Sequence, residues 1–100
     1  MRVRLATIAD RDVVIQLVSK LFVELEGKAL QPVKLAPVFH DLITREDAGF
    51  VALCETEDAA LAVCTVSFLQ ALRSRGRYAI IQEMYVEPDA RSTGIGKTVI

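Results

Sequence analysis

The chain has 100 residues, the length of one small domain, and its composition of 52% hydrophobic and 25% charged residues excludes a disordered or low-complexity protein. Twelve basic and thirteen acidic residues give a net charge of −1. This balance argues against a nucleic-acid partner, because phosphate contacts need clustered cations. No apolar run is long enough to cross a membrane and no secretory signal follows Met1, so we expect a cytoplasmic protein without a membrane partner.

The N-terminal segment predicts a strand followed by a long helix. Polar and apolar residues alternate over 2–6, as in a half-buried strand. Thr7 and Asp10 have the spacing of a capping box, and the apolar residues behind them recur at steps of one and three. We therefore expect a helix over 10–26, closed by Gly27 in a left-handed conformation.

A second helix follows after a loop over residues 28–33, which contains Pro32. The apolar pattern predicts this helix over 35–46. Pro37 should lie in its first turn, where a missing amide proton costs nothing. His40 lies beside the apolar stripe rather than within it, so we interpret it as a solvated helix histidine.

The period then changes to that of three consecutive strands, over 50–55, 59–70 and 78–86. A polar turn over 56–58 separates the first two, and a basic connection over 73–77 separates the last two. The order of elements predicts an α/β (α+β) fold with a mixed, mostly antiparallel sheet flanked by helices. We find no internal repeat and no linker, so residues 1–100 form one domain.

The two cysteines, Cys54 and Cys64, are ten positions apart. A disulfide across a hairpin would need a turn centred near residue 59, whereas the polar turn lies at 56–58. No Cys or His cluster has the spacing of a metal site. We expect two reduced, buried thiols and no bound metal.

The last strand runs into a loop with two glycines, Gly94 and Gly96, and a helix should begin near Gly96. Free amides at such a helix start, together with the helix dipole, make an anion site. Arg91 and Lys97 flank the loop with cations. The alternative is an ordinary turn between a strand and a helix.

Two phosphate-binding motifs compete for this loop. Gly96-Lys97-Thr98 matches the end of a P-loop, but Arg91 stands where its first glycine belongs, which disfavours a P-loop NTPase. The pattern Gln/Arg-x-x-Gly-x-Gly/Ala is satisfied at every fixed position over residues 91–96, and Val86-x-Pro88 precedes it at the expected distance.

With these motifs and this order of elements, the chain resembles the GNAT superfamily of acetyl-CoA-dependent N-acetyltransferases. Ser92 departs from the family, which often has glycine there. The resemblance covers all 100 residues of this chain, which correspond to about the N-terminal two thirds of such a domain. Because the chain stops one turn into the helix expected at Gly96, we expect the domain to be incomplete at its C-terminus.

The resemblance implies a site for acetyl-CoA. Backbone amides of the loop would hold the pyrophosphate, the first helical turn would add a charge or a hydroxyl, and the end of the preceding strand would run beside the pantetheine arm. The amide of Val86 would polarise the thioester carbonyl. The implied cofactor-binding residues are Met84, Tyr85, Val86, Arg91, Ser92, Thr93, Gly94, Ile95, Gly96, Lys97 and Thr98.

The implied reaction is direct attack of a primary amine on the acetyl group, with no covalent enzyme intermediate. Glu83, the only carboxylate within the third of these strands, is the candidate general base. The alternatives are a solvent-facing or edge-facing glutamate, and a water chain as the base. The resemblance places the general acid, a tyrosine, beyond Ile100.

The acceptor is a small-molecule or protein amine, and the resemblance assigns its selection partly to the loop over 27–34. A homodimer is left open. A non-catalytic acyl-CoA-binding member of the family is the other hypothesis.

Overall fold

The computed structural model describes residues 1–28 and 30–93. Its four strands form one antiparallel sheet in the order β1-β2-β3-β4, with two helices between β1 and β2. The elements are β1 (Arg2–Leu5), α1 (Arg11–Glu26), α2 (Pro32–Thr44), β2 (Gly49–Glu55), β3 (Ala60–Ala71) and β4 (Gly76–Val86), with 3-10 turns at Ile8–Asp10, Leu72–Ser74 and Pro88–Thr93.

This arrangement confirms the predicted fold class, and every strand end lies within two residues of its prediction. Because β4 pairs antiparallel with β3, the strand before the glycine loop is not the parallel strand that a P-loop follows. No helix in the described part of the chain is long and apolar enough to cross a membrane.

The predicted helix start is confirmed at Thr7, whose backbone N–H donates to Asp10 Oδ2 at 2.7 Å. One 3-10 turn precedes the α-helix proper, which begins at Arg11. The helix ends as predicted, because Gly27 adopts a φ of 75° and its N–H donates to Val23 O. Only glycine adopts this conformation without steric cost.

The prediction for α2 was wrong at its start. The helix begins at Pro32, inside the segment predicted as a loop, and Pro37 lies in its interior rather than in its first turn. Pro32 suits the first helical position because its fixed φ is already helical and its missing donor has no helical acceptor there. The proline of the first turn is therefore Pro32 and not, as predicted, Pro37.

The core lies between the two helices and one face of the sheet. Leu53 and Val63 are fully buried there, and Val14, Leu17 and Phe39 cover them from the helices. This packing fixes the distance of α1 from the end of β4, where the candidate site lies.

The cysteines lie on the other face of the sheet, among small residues. Cys54 is opposite Ala62, and Cys64 is opposite Ala52, so the two thiols are not partners. Both are free and buried, as predicted, and burial raises the pKa of each thiol. His40 is exposed on α2, also as predicted.

Candidate active site

The end of β4 presents backbone groups away from its neighbour. The N–H of Glu87 donates to Leu61 O on β3 at 2.8 Å. Because successive residues of a strand alternate in direction, the amides of Met84 and Val86 point away from β3. Among the described residues β4 is the last strand of the sheet, so these amides face an edge that a ligand can reach.

A β-bulge lies in β4 two residues before Met84, the first of these two edge-facing residues. Thr65 is opposite Glu83, but Val66 is opposite Ile81, so Gln82 is an extra residue in β4. The backbone N–H of Glu83 donates to the side-chain oxygen Thr65 Oγ1 at 3.1 Å. Bulges redirect side chains and are frequent beside active sites.

Glu83 is half-buried on the helix side of the sheet, at a cavity of about 60 Å³ between α1, α2 and β4. Phe39 and Val14 contribute apolar walls, and Thr65 is a polar neighbour. Burial raises the pKa of Glu83, and a side-chain hydrogen bond with Thr65 partly offsets this rise. The carboxyl group is thus moved toward the pKa range that suits a general base near neutral pH.

Tyr85 and Met84 lie on opposite faces of β4. The Tyr85 ring belongs to the helix-side core, whereas Met84 is opposite Cys64 on the other face. A ligand on the strand edge would therefore meet the backbone of Met84, whereas the backbone of Tyr85 faces β3.

Arg91 binds other groups of the protein through its side chain. Its Nε donates to Val86 O at 2.9 Å, and its Nη2 donates to Glu24 Oε1 at 2.5 Å. Its guanidinium also lies 5.5 Å from the centre of the Tyr85 ring. The sequence suggested a cation available to a ligand, but the structure places this charge against a carboxylate of α1.

The remaining loop residues are only partly described. Ser92 and Thr93 complete the 3-10 turn Pro88–Thr93, a segment predicted as an irregular loop. Gly94, Ile95, Gly96, Lys97 and Thr98, and the helix start predicted at 94–96, lie outside the described residues.

A groove of about 730 Å³ runs between α1, the start of α2 and Tyr85. Its walls combine the apolar Val23, Leu30 and Pro32 with polar residues of α1, and this size is typical of small-molecule sites. From the sequence, acceptor selection was assigned to the loop over 27–34, and the polar residues of α1 were missed. Their signal was a spacing of four and three residues along one helix face: Asp12, Gln16 and Ser19.

A second groove, of about 650 Å³, lies on the other side of Lys20. Lys20 Nζ donates to Glu87 Oε1 at 2.7 Å and thereby ties the middle of α1 to the end of β4. Within the described ranges no group of three or more His, Cys, Asp or Glu residues could hold a metal ion.

The order of these strands and helices defines an acetyltransferase-like fold. The chain belongs to the GNAT acetyltransferase family: the model described as "Acetyltransferase (GNAT) family" matches residues 13–100. No curated protein matches the chain.

Solved structures share the fold. An integron cassette protein, HFX_CASS3, from the mobile metagenome of Cole Harbour Salt Marsh has a TM-score of 0.91 at 25% identity, over 97% of this chain and 63% of that one. A possible acetyltransferase from Clostridium difficile 630 has a TM-score of 0.86 at 24% identity, over 98% and 64%. A predicted acetyltransferase with acetyl-CoA from Clostridium acetobutylicum has a TM-score of 0.82 at 19% identity, over 97% and 66%. The chain thus spans less than two thirds of the length of each of these proteins.

Proposed function

We propose that the protein is an N-acetyltransferase that transfers the acetyl group of acetyl-CoA to a primary amine. The observation that supports this most strongly is the end of β4. Two backbone amides there point away from β3, and the motif over residues 91–96 follows directly. Family membership supports the same activity.

The residues of this strand end are suited to acetyl-CoA. Met84 and Val86 would pair through their backbone with the pantetheine arm, on either side of Tyr85. The amides of residues 91–96 would hold the pyrophosphate, with Lys97 and Thr98 beside it. Acetyl-CoA supplies an activated thioester when it is bound. The Val86 amide would stabilise the negative charge that develops on its carbonyl oxygen.

Glu83 is the proposed general base. Its raised pKa brings it closer to neutral pH, and the adjoining cavity of about 60 Å³ is large enough for a water molecule. Glu83 would take the proton of the attacking amine directly or through that water. The new C–N bond replaces the C–S bond, and the thiolate of CoA leaves.

The groove beside α1 is the proposed entrance for the acceptor. Its lining contains two carboxylates, Asp12 and Glu24, and one cation, Lys20, and this excess of negative charge favours a cationic amine. The apolar wall favours an aliphatic or peptide chain. Glu24 is partly neutralised by Arg91, so the polar stripe of α1 contributes most of the recognition.

The experiment is a transfer assay with acetyl-CoA and a panel of amines that includes polyamines, amino acids and peptides. Release of the free CoA thiol is followed by a chromogenic reagent, and the acetylated product is identified by mass spectrometry. We expect turnover with at least one amine. A protein that binds acetyl-CoA but acetylates none of the panel would contradict the proposal and favour a non-catalytic acyl-CoA-binding protein.

A further inference from the structure

The turn between β3 and β4 projects beyond the rest of the sheet. The pairing of β2 with β3 stops at Gly49 opposite Ser67, whereas β3 and β4 remain paired from Phe68 opposite Ala79 to Ala71 opposite Gly76. We call residues 68–79 the arginine hairpin. It is a two-stranded ribbon at the opposite end of β4 from the proposed cofactor site.

The arginine hairpin concentrates positive charge in a chain whose net charge is −1. Arg73, Arg75 and Arg77 are three of the twelve basic residues, and the sequence has no acidic residue between Asp58 and Glu83. All three arginines are exposed. Their charge therefore has no local compensation along the chain.

Two of these arginines contact aromatic rings rather than carboxylates. Arg77 lies 4.7 Å from the centre of the Phe68 ring, and Arg73 lies 5.3 Å from that of Tyr78. Such contacts hold a guanidinium in place while leaving its N–H groups available. Within the described part of the chain, no ion pair involves an arginine of the hairpin. The cations that do form ion pairs are Arg2, Arg4, Arg11, Lys20, Arg45 and Arg91.

The tip of the hairpin is ordered and slightly strained. Ser74 Oγ lies 3.0 Å from Ala71 O and 2.8 Å from Gly76 O, so its single hydroxyl hydrogen is shared between carbonyls on both sides of the turn. Arg75 has a left-handed φ of 58°. Asparagine or glycine would adopt that conformation at lower cost. Leu72 beside it is 99% exposed. A strained arginine next to an exposed leucine is a feature expected of a contact surface.

We propose that the arginine hairpin docks an acidic polypeptide segment of the acceptor. The three guanidinium groups are suited to carboxylates, which they bind with two parallel hydrogen bonds, and Leu72 offers an apolar contact. A short acidic segment contacts only the hairpin. Nucleic acid is a longer polyanion that would also approach the rest of the chain, and the net charge of −1 disfavours this.

The distance along β4 limits where the acidic segment lies. Gln70 and Thr65, the β3 partners of Arg77 and Glu83, are five positions apart, about 17 Å at 3.3 Å per residue. Because of the bulge, Arg77 and Glu83 lie on opposite faces of the sheet, so the path between them is somewhat longer than this. This inference rests on the proposed function, because it places the acetylated amine near Glu83. An extended acceptor would then carry its acidic residues about six positions from that amine.

The test uses two fluorescent peptides with a free N-terminal alanine and a five-residue Gly-Ser spacer, ending in four glutamates or four glutamines. The triple variant Arg73→Gln/Arg75→Asn/Arg77→Gln removes the charge, and asparagine preserves the left-handed residue. The matched control is Arg11→Gln/Arg45→Gln, which removes exposed arginines elsewhere. Fluorescence anisotropy gives the Kd of each peptide at low salt, and thermal melting verifies folding.

We expect the glutamate peptide to bind the protein at least tenfold more tightly than the glutamine peptide. The triple variant should lose this preference, and the control should keep it. Equal binding of both peptides, or an unchanged preference in the triple variant, would overturn the proposal. Tighter binding of a single-stranded RNA or of phosphatidylserine vesicles than of the acidic peptide would overturn it as well. If the triple variant does not fold, the single variant Arg75→Asn replaces it. An unchanged preference for the glutamate peptide in that variant would likewise overturn the proposal.

Two further readouts separate this inference from the proposed function. Anisotropy measures docking without any transfer of acetyl groups. If peptides are acetylated, the triple variant should lower kcat/KM only for the glutamate peptide and leave the Kd of acetyl-CoA unchanged. Acetylation of both peptides without a preference would overturn the docking surface while supporting the enzyme.

Discussion

Arg91 and Glu24, which are 67 positions apart in the sequence, meet at 2.5 Å between Nη2 and Oε1. The same guanidinium donates to Val86 O, so one side chain connects α1, the end of β4 and the start of the motif over residues 91–96. We therefore propose that Arg91 is a positioning residue for the start of this motif, rather than a charge presented to phosphate.

Replacing Glu24 with glutamine should weaken acetyl-CoA binding modestly. The side chains of Arg91 and Glu24 are 46% and 43% exposed, and such pairs contribute at most about 1 kcal/mol, or about fivefold in Kd. Calorimetric titration measures the effect. Glu26→Gln, on the same helix, is the control and should bind acetyl-CoA as the unchanged protein does. Equal Kd values for the two variants would refute the positioning role.

The pH dependence of acetyl transfer should report on Glu83. A base must be deprotonated to act, so kcat/KM should rise as the pH passes upward through its raised pKa. Glu83→Gln should remove this limb and lower kcat by about a hundredfold. Glu57→Gln, in the exposed β2–β3 turn, is the control. A Glu83→Gln enzyme with the original rate and profile would exclude Glu83 as the base.

A second variant tests the cause of that pKa. The side-chain hydrogen bond with Thr65 lowers the pKa of Glu83, so Thr65→Val should raise it further. The low-pH limb of kcat/KM should then move to higher pH. A limb that stays in place or moves to lower pH would show that Glu83 does not control it.

Acid should destabilise the protein through the two carboxylates around Arg4. Arg4 binds Asp10 and Glu55, which holds the pKa of Asp10 well below its usual range and lowers that of Glu55 to about 2. Because both pKa values lie below the unfolded values of about 4, their stabilisation is complete above about pH 5 and is lost as the pH falls toward 2.

Urea unfolding between pH 6 and pH 2 measures this loss. Arg4→Met removes the shared cation, so its free energy of unfolding should fall less steeply with acid than that of the unchanged protein. Arg11→Met, which removes only the exposed pair with Asp12, should keep the original slope. Parallel slopes for the protein and the Arg4→Met variant would contradict this account.

Two glycines with nearly the same backbone angle make a matched pair for stability. Gly49 and Gly76 have φ values of 148° and 146°. An added Cβ at Gly49 would lie 1.9 Å from Val66 O on the neighbouring strand, whereas at Gly76 it would meet nothing within 4 Å. Gly76→Ala should therefore lose about 1–3 kcal/mol from strain alone, and Gly49→Ala about 4 kcal/mol or more. Equal losses in denaturant unfolding would show that the close approach is not limiting.

The sequence predicted the order of the elements because apolar periodicity reports directly on which face of an element is buried. It did not predict the bulge at Gln82, since a bulge depends on how β4 aligns with β3 rather than on either strand alone. The ion pair of Arg91 with Glu24 was not predictable from the sequence either, because it exists only after α1 has packed beside β4. The glycine motif, being local, was recognisable from the chain alone.

The central claim is that acetyl-CoA binds with its pyrophosphate at residues 91–96, and calorimetric titration of acetyl-CoA tests it most directly. We expect one binding site whose affinity falls at least tenfold in Gly94→Val and in Gly96→Val, because a β-branched side chain blocks the approach of backbone to phosphate. Gly27→Ala, at the end of α1, should bind as the unchanged protein does. Undiminished affinity in both loop variants, or binding of ATP with Mg²⁺ in place of acetyl-CoA, would contradict the claim.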